Sequence, residues 1–171
     1  MVNMNDQLKD AKLIVSIFNT FVPNCAAIAG GYIRDVETGR EPRDIDIIVE
    51  FEDQRDFAEA TLLADRLGYS SQVYHACAEY PNTARTGASV GVVKLHKHNQ
   101  LDIDIIFKSV SVKRAIEDFP CNAVKVYLDG DTTITTEEYR EFCKTRKLIF
   151  HPDAPQAYKD KLISYYPQDS L

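Results

Sequence analysis

Two stretches of the chain, Asp44-Ile45-Asp46-Ile47-Ile48-Val49 and Leu101-Asp102-Ile103-Asp104-Ile105-Ile106, alternate carboxylates with β-branched apolar residues. Ile and Val ask for extended backbone, and successive side chains on a strand point to opposite faces. Each stretch therefore presents two aspartates on one face and isoleucines on the other, with the paired carboxylates about 7 Å apart along the strand. The isoleucine face needs a packed sheet. If the two strands lie side by side, three or four acids converge, and their repulsion calls for cations between them. Parity leaves Asp102 and Asp104 equivalent as partners for Asp44 and Asp46.

The rest of the chain supplies a frame for these strands. From Asn5 or Asp6, Leu8, Ala11, Ile14, Val15, Phe18 and Phe21 recur at helical spacing as far as Pro23. Cys25–Ala29 reads as a short buried strand leading to Gly30-Gly31, and Tyr32–Thr38 as a helix stopped by Gly39. Pro42 leads into the strand Asp44–Phe51, and Asp53–Leu67 is an amphipathic helix closed by Gly68. Tyr69–Cys77 is a further strand, and Glu79–Ser89, rich in Pro, Asn, Thr and Gly, a loop. Val90–Leu95 and Leu101–Phe107 form strands around a hairpin at residues 96–100, before a helix from Val110 to Ile116. Asn122–Leu128 is apolar and fits either helix or strand, ending at the Asp129-Gly130 turn. Thr135-x-x-Glu138 reads as a capping box for a helix to about Lys147, followed by a last helix over Ala154–Tyr165. The expectation is an α+β fold, a small mixed sheet flanked by helices. A catalytic domain over residues 1–130 carries a packed helical extension over 131–171, with a soft boundary near 129–136.

With 171 residues, 44% apolar and 27% charged, the chain suits one domain with a real core. It contains no uncharged apolar run of about 18 residues and its first ten residues lack a signal peptide's apolar centre, so a cytoplasmic protein with no membrane span is expected. Cys25, Cys77, Cys121 and Cys143 are far apart, with no C-x-x-C pair, as for reduced thiols without a zinc site. The net charge of −6 argues against a surface built mainly to wrap nucleic acid, though metal-bound carboxylates would account for part of it. His96 and His98 read as hairpin decoration and His75 and His151 are given no role. Lys144, Arg146, Lys147, Lys159 and Lys161 read as a solvated helix face, with a basic patch for an acceptor strand as the alternative.

Gly30-Gly31 stands between a buried strand and a helix start, where bare backbone N–H groups can face phosphate. Alone, a Gly pair is a weak signal. Joined to the D-x-D strand just behind it, the pair completes a phosphate cradle beside metal ligands. The run G-G-Y-I-R-D-V-E-T-G-R-E-P-R-D-I-D resembles the signature of the DNA polymerase β-type nucleotidyltransferase superfamily, specifically the head domain of bacterial-type tRNA CCA-adding enzymes and poly(A) polymerases. Gly30, Gly31, Arg34, Asp35, Gly39, Asp44 and Asp46 fall on that pattern. Asp118-Phe119-Pro120-Cys121-Asn122-Ala123 is similar to the family's D-F-T-I-N-A motif, and the resemblance covers about residues 25–125.

The resemblance implies that Asp44, Asp46 and a third acid hold two Mg²⁺ ions. It points to Asp102 as that acid, since the family's third acid commonly follows one apolar residue at the strand's start, with Asp104 as the alternative. It implies that Gly30 and Gly31 contact the triphosphate, and that Arg34, Asp118 and Asn122 help to hold the nucleotide. The reaction implied is transfer of a nucleoside monophosphate from an NTP to an acceptor hydroxyl, with an RNA or tRNA 3′ end as candidate acceptor. Three departures weigh on this. Ile116 and Glu117 stand where the family has arginines, leaving Arg114 a helical turn back; no E-D-x-x-R nucleotide-selecting motif is present; and about 45 residues remain where the family carries tRNA-binding domains. The alternatives are a protein or small-molecule acceptor, or a module that binds nucleotide without turnover.

Overall fold

The computed structural model describes residues 4–75 and 89–168. Cys77 and nearly all of the loop expected at Glu79–Ser89 lie outside these residues. In chain order the elements are α1 (Met4–Phe21), β1 (Ala26–Ala29), α2 (Gly31–Thr38), β2 (Asp44–Glu50), α3 (Arg55–Arg66), β3 (Ser70–His75), β4 (Ser89–His96) and β5 (Asp102–Lys108). There follow α4 (Val112–Glu117), a 3₁₀ turn (Asn122–Val124), β6 (Val126–Asp129), β7 (Thr132–Thr135), α5 (Glu137–Thr145) and α6 (Gln156–Tyr165). Among the described residues no helix is long and apolar enough to cross a membrane.

The strands form one mixed sheet in the order β3-β4-β5-β2-β1-β6-β7. Only β2 and β5 pair in parallel; the other neighbours are antiparallel. The α+β architecture expected from the alternation is the one observed. Ile45 and Ile47 of β2 and Ile103 and Ile105 of β5 are wholly buried in the core cluster shared with Ala11, Ile14 and Phe18 of α1 and Phe57, Ala60 and Leu63 of α3. On the other face Ile48 joins Ala27, Ala29 and the α4 residues Val112, Ala115 and Ile116. Helices thus cover the isoleucines and leave the aspartate ends of β2 and β5 open.

Phe107 anchors the larger cluster, its ring lying 5.0 Å from Phe57, 5.9 Å from Phe18 and 6.2 Å from Phe51, with no exposed surface. Phe107→Ala should lower the unfolding free energy by about 3–5 kcal/mol, because three rings cannot all collapse into the void. Chemical denaturation checks this.

Several local expectations shift. The helix α1 begins at Met4, which puts Asp6 in its first turn rather than at the cap. Asn122–Leu128 divides into the 3₁₀ turn and β6, and β6 turns at Asp129-Gly130 into β7, a strand the sequence did not announce. The sheet therefore runs past residue 130. Because Thr135 ends β7, the cap of α5 is its neighbour Thr136, whose hydroxyl accepts from Tyr139 N at 3.2 Å. The helix ends early, at Thr145, where Arg146 adopts the left-handed conformation.

Candidate active site

The parallel register of β2 with β5 places Asp44 opposite Asp102 and Asp46 opposite Asp104. Carboxylate oxygens of Asp44, Asp46 and Asp104 all lie within 4.8 Å of one another. The structure therefore groups Asp104, not the Asp102 implied by the resemblance, with the D-x-D pair. Asp102 sits at the sheet's end, where its Oδ1 is 2.7 Å from Nδ1 of His96, the last residue of the adjacent strand β4. His96 thus has a partner that hairpin decoration did not anticipate. Deeper in, Asp104 lies opposite Lys94 of β4, whose Nζ is 3.0 Å from Asp104 Oδ1 and 3.3 Å from Oδ2. The ammonium donates a hydrogen bond to Oδ2 and pairs by charge with Oδ1, which is buried and accepts no hydrogen bond.

The carboxyls are held above their ordinary range. For Asp46, which keeps a little surface toward the cleft yet lies deep among protein atoms, burial is the main cause and the charges of Asp44 and Asp104 add to it. Burial likewise raises Asp44, against the opposing fields of Lys161 and Lys94, and raises Asp104 against Lys94. Lys94, though burial works against its charge, is held above the usual lysine range by Asp104. Three clustered carboxylates, each offering an oxygen to a common point, fit a hard divalent cation such as Mg²⁺.

The chain reaches this cluster through β1 and Gly30. Gly30 has φ 72° and ψ −127°, a backbone region closed to residues with a Cβ. It leads into α2, where a Cβ at Gly31 would stand 3.2 Å from the Arg34 guanidinium. Arg34 is buried, and its Nε donates to Asp35 Oδ1 at 2.9 Å. Asp118, which caps α4, accepts from Arg114 Nε at 2.9 Å, so each of these groups has a partner within the protein. Asn122 is more fully engaged: its amide donates to Lys147 O at 2.9 Å and its Oδ1 accepts from Ile149 N at 2.9 Å, clamping the segment after α5 to the sheet. Its placement is that of a structural clamp.

A cavity of about 320 Å³ opens over the cluster. Gly30, Gly31, Arg34, Asp44 and Asp46 line one side, and Tyr158, Lys161 and Tyr165 of α6 the other, with Arg43 at the rim. Lys161 had read as part of a solvated helix face, and Tyr158, Tyr165, Arg43 and Lys94 had carried no signal. Their convergence depends on long-range packing; the only hint is the i, i+3, i+7 spacing of 158, 161 and 165, which puts them on one helix face. A slightly larger cleft, about 370 Å³, lies at the far end of β2 among Phe18, Phe21, Cys25, Glu50 and Asp56 and contains none of the clustered aspartates. Burial, with Asp56 and Glu50, pushes the Cys25 thiol there up to about 11, which keeps it protonated and inert.

No family model matches the sequence, and no curated protein matches it. Solved structures do. A CCA-adding enzyme in complex with ATP superposes with a TM-score of 0.60 at 15% identity, over 85% of this chain and 34% of that one. The Thermotoga maritima CCA-adding enzyme complexed with tRNA gives 0.60 at 16% identity, over 85% and 32%. A tRNA nucleotidyltransferase complexed with a primer tRNA and an incoming ATP analogue gives 0.54 at 20% identity, over 77% and 36%. The chain shares its fold with these enzymes. The chain spans about a third of the length of the chains it matches.

Proposed function

We propose that the chain is a divalent-cation-dependent nucleotidyltransferase that moves a nucleoside monophosphate from an NTP to an acceptor hydroxyl. The observation that carries this reading is the convergence of Asp44, Asp46 and Asp104 beneath a cavity floored by Gly30-Gly31. In the reaction the acceptor oxygen bonds to the α-phosphorus, the α–β phosphoanhydride breaks, the hydroxyl loses its proton and pyrophosphate leaves. Asp44, Asp46 and Asp104 would hold Mg²⁺, two ions by the resemblance, which when bound lowers the acceptor hydroxyl's pKa and neutralises charge on the leaving group. The protein's own part is to orient. The N–H groups at the start of α2 face the phosphates, Lys94 offsets part of the carboxylate charge, and the α6 side closes the cavity over the nucleotide.

An RNA 3′ end is the acceptor we favour, because structural neighbours were captured with tRNA. A protein or small-molecule acceptor is the second reading, supported by the net charge of −6. Incubating the protein with Mg²⁺, each labelled NTP and either total RNA or total cell protein separates them. Label should enter RNA in the wild type and vanish in Asp44→Ala; label confined to protein overturns the RNA acceptor. Pyrophosphate release equal in wild type and Asp44→Ala with every acceptor would leave only a nucleotide-binding module.

A further inference from the structure

Among the described residues, three side-chain polar atoms are buried with no hydrogen-bond partner: Asp104 Oδ1, Arg40 Nε and Tyr165 Oη. Folded proteins leave few such atoms, and each asks for a reason. Two of the three face an opposite charge, Asp104 Oδ1 with Lys94 Nζ at 3.0 Å and Arg40 Nε with Asp35 Oδ1 at 3.9 Å, which leaves the Tyr165 hydroxyl as the one without either kind of partner. Asp104 belongs to the carboxylate cluster, Tyr165 lines the cavity wall, and the Arg40 guanidinium lies 3.8 Å above the Tyr165 ring. The arginines named by the resemblance or standing in for its missing ones have partners already: Arg34 is held by Asp35 and Arg114 by Asp118. Lys161 differs from both. It lies one helical turn from Tyr165 on the same face of α6, lines the cavity beside Asp44 and Asp46, has its ammonium 5.7 Å from the Tyr158 ring centre, and makes no ion pair among the described residues.

We propose that α6 is the nucleotide-recognition wall of this site, with Lys161 Nζ and Tyr165 Oη hydrogen-bonding to the bound nucleoside triphosphate. The inference rests on the nucleotidyltransferase reading and extends it to residues outside the sequence motif. A triphosphate is rich in acceptor oxygens; an ammonium that acts on Asp44 only through its field, with no direct ion pair, and a phenol without an acceptor are the complementary donors. The stacked Arg40 fixes the Tyr165 ring, so the hydroxyl is positioned before the ligand arrives.

Binding of fluorescent ATP, CTP, GTP and UTP analogues with Mg²⁺ and no acceptor tests this, followed by thermal melts of the unliganded proteins. With the tightest analogue, Lys161→Ala and Tyr165→Phe should each weaken binding about tenfold or more, the size expected for a hydrogen bond to a charged group. Lys161→Arg should bind within about threefold of wild type, since it keeps the charge. Tyr165→Phe keeps the ring under Arg40 and removes an orphaned hydroxyl, so its unliganded melting temperature should equal or exceed the wild type's. Affinities of Lys161→Ala and Tyr165→Phe both within about twofold of wild type would overturn the proposal while leaving the transfer reading intact. A lower melting temperature for Tyr165→Phe with unchanged affinity would make the phenol structural, and also overturn it. Failure of the wild type to bind any of the four analogues would remove both readings.

Discussion

Replacing Asp46 with asparagine should raise the melting temperature of the metal-free protein and abolish the stabilisation that Mg²⁺ gives the wild type. Asp46 is the most deeply set of the three carboxyls, held well above its ordinary range by burial and by Asp44 and Asp104. Removing one like charge across the β2–β5 pair relieves about 1 kcal/mol, or about 2–4 °C for a chain of this size. In the wild type, Mg²⁺ at a hundred times its dissociation constant should add about 2.7 kcal/mol, so the Asn variant loses more than it gains once metal is present. The pH dependence has a definite sign. In the unfolded chain Asp46 ionises near pH 4, whereas in the fold it keeps its proton to higher pH. Between those values the native state binds more protons, so stability of the metal-free protein falls as pH rises through that window. Saturating Mg²⁺, or Asp46→Asn, should flatten the fall. Differential scanning fluorimetry from pH 4 to 8, with and without Mg²⁺, measures both effects. An Asn variant that keeps the Mg²⁺ shift would remove Asp46 from the metal site.

The strand pair was legible because its signal is local. A period of two in Asp44–Val49 and Leu101–Ile106 separates carboxylates from isoleucines whatever the rest of the chain does, and burial of Ile45, Ile47, Ile103 and Ile105 follows that parity. What parity cannot give is depth along the strand. Asp102 and Asp104 share a face, and the choice between them is made by β4, which brings His96 to one and Lys94 to the other through a register set by strand pairing. The same limit hid the α6 wall. Lys161 stands beside Asp160 and Lys159 as on any solvated helix face, and nothing local says that Asn122, through Lys147 O and Ile149 N, ties down the segment that carries the chain toward α6. Asn122 also shows a motif position matched in sequence whose side chain is spent on backbone. The error at Thr135 is of another kind: two adjacent threonines both suit a cap, and the strand β7 claims the first.

Asp104→Asn and Asp102→Asn should have sharply unequal effects, although the two residues share a strand and a face. Of the two, Asp104 is the one grouped within 4.8 Å of both Asp44 and Asp46. Removing its charge takes away a ligand at the point where negative charge develops, so pyrophosphate release with a competent acceptor should fall roughly a hundred- to a thousandfold. The Mg²⁺-induced rise in melting temperature should shrink with it. Asp102 is a third exposed, and its carboxylate is turned to His96 at the sheet's end. Such an exposed pair contributes at most about 1 kcal/mol, so Asp102→Asn should keep the Mg²⁺ shift and turn over within a fewfold of wild type. Comparing the two variants by Mg²⁺ titration as well as by turnover separates loss of a ligand from general damage, because Asp102→Asn controls for an equal change of charge on the same strand. If Asp102→Asn lost the Mg²⁺ response and Asp104→Asn kept it, the third ligand would be the one the motif implied, and β5 would have to slide or twist on binding metal to deliver it.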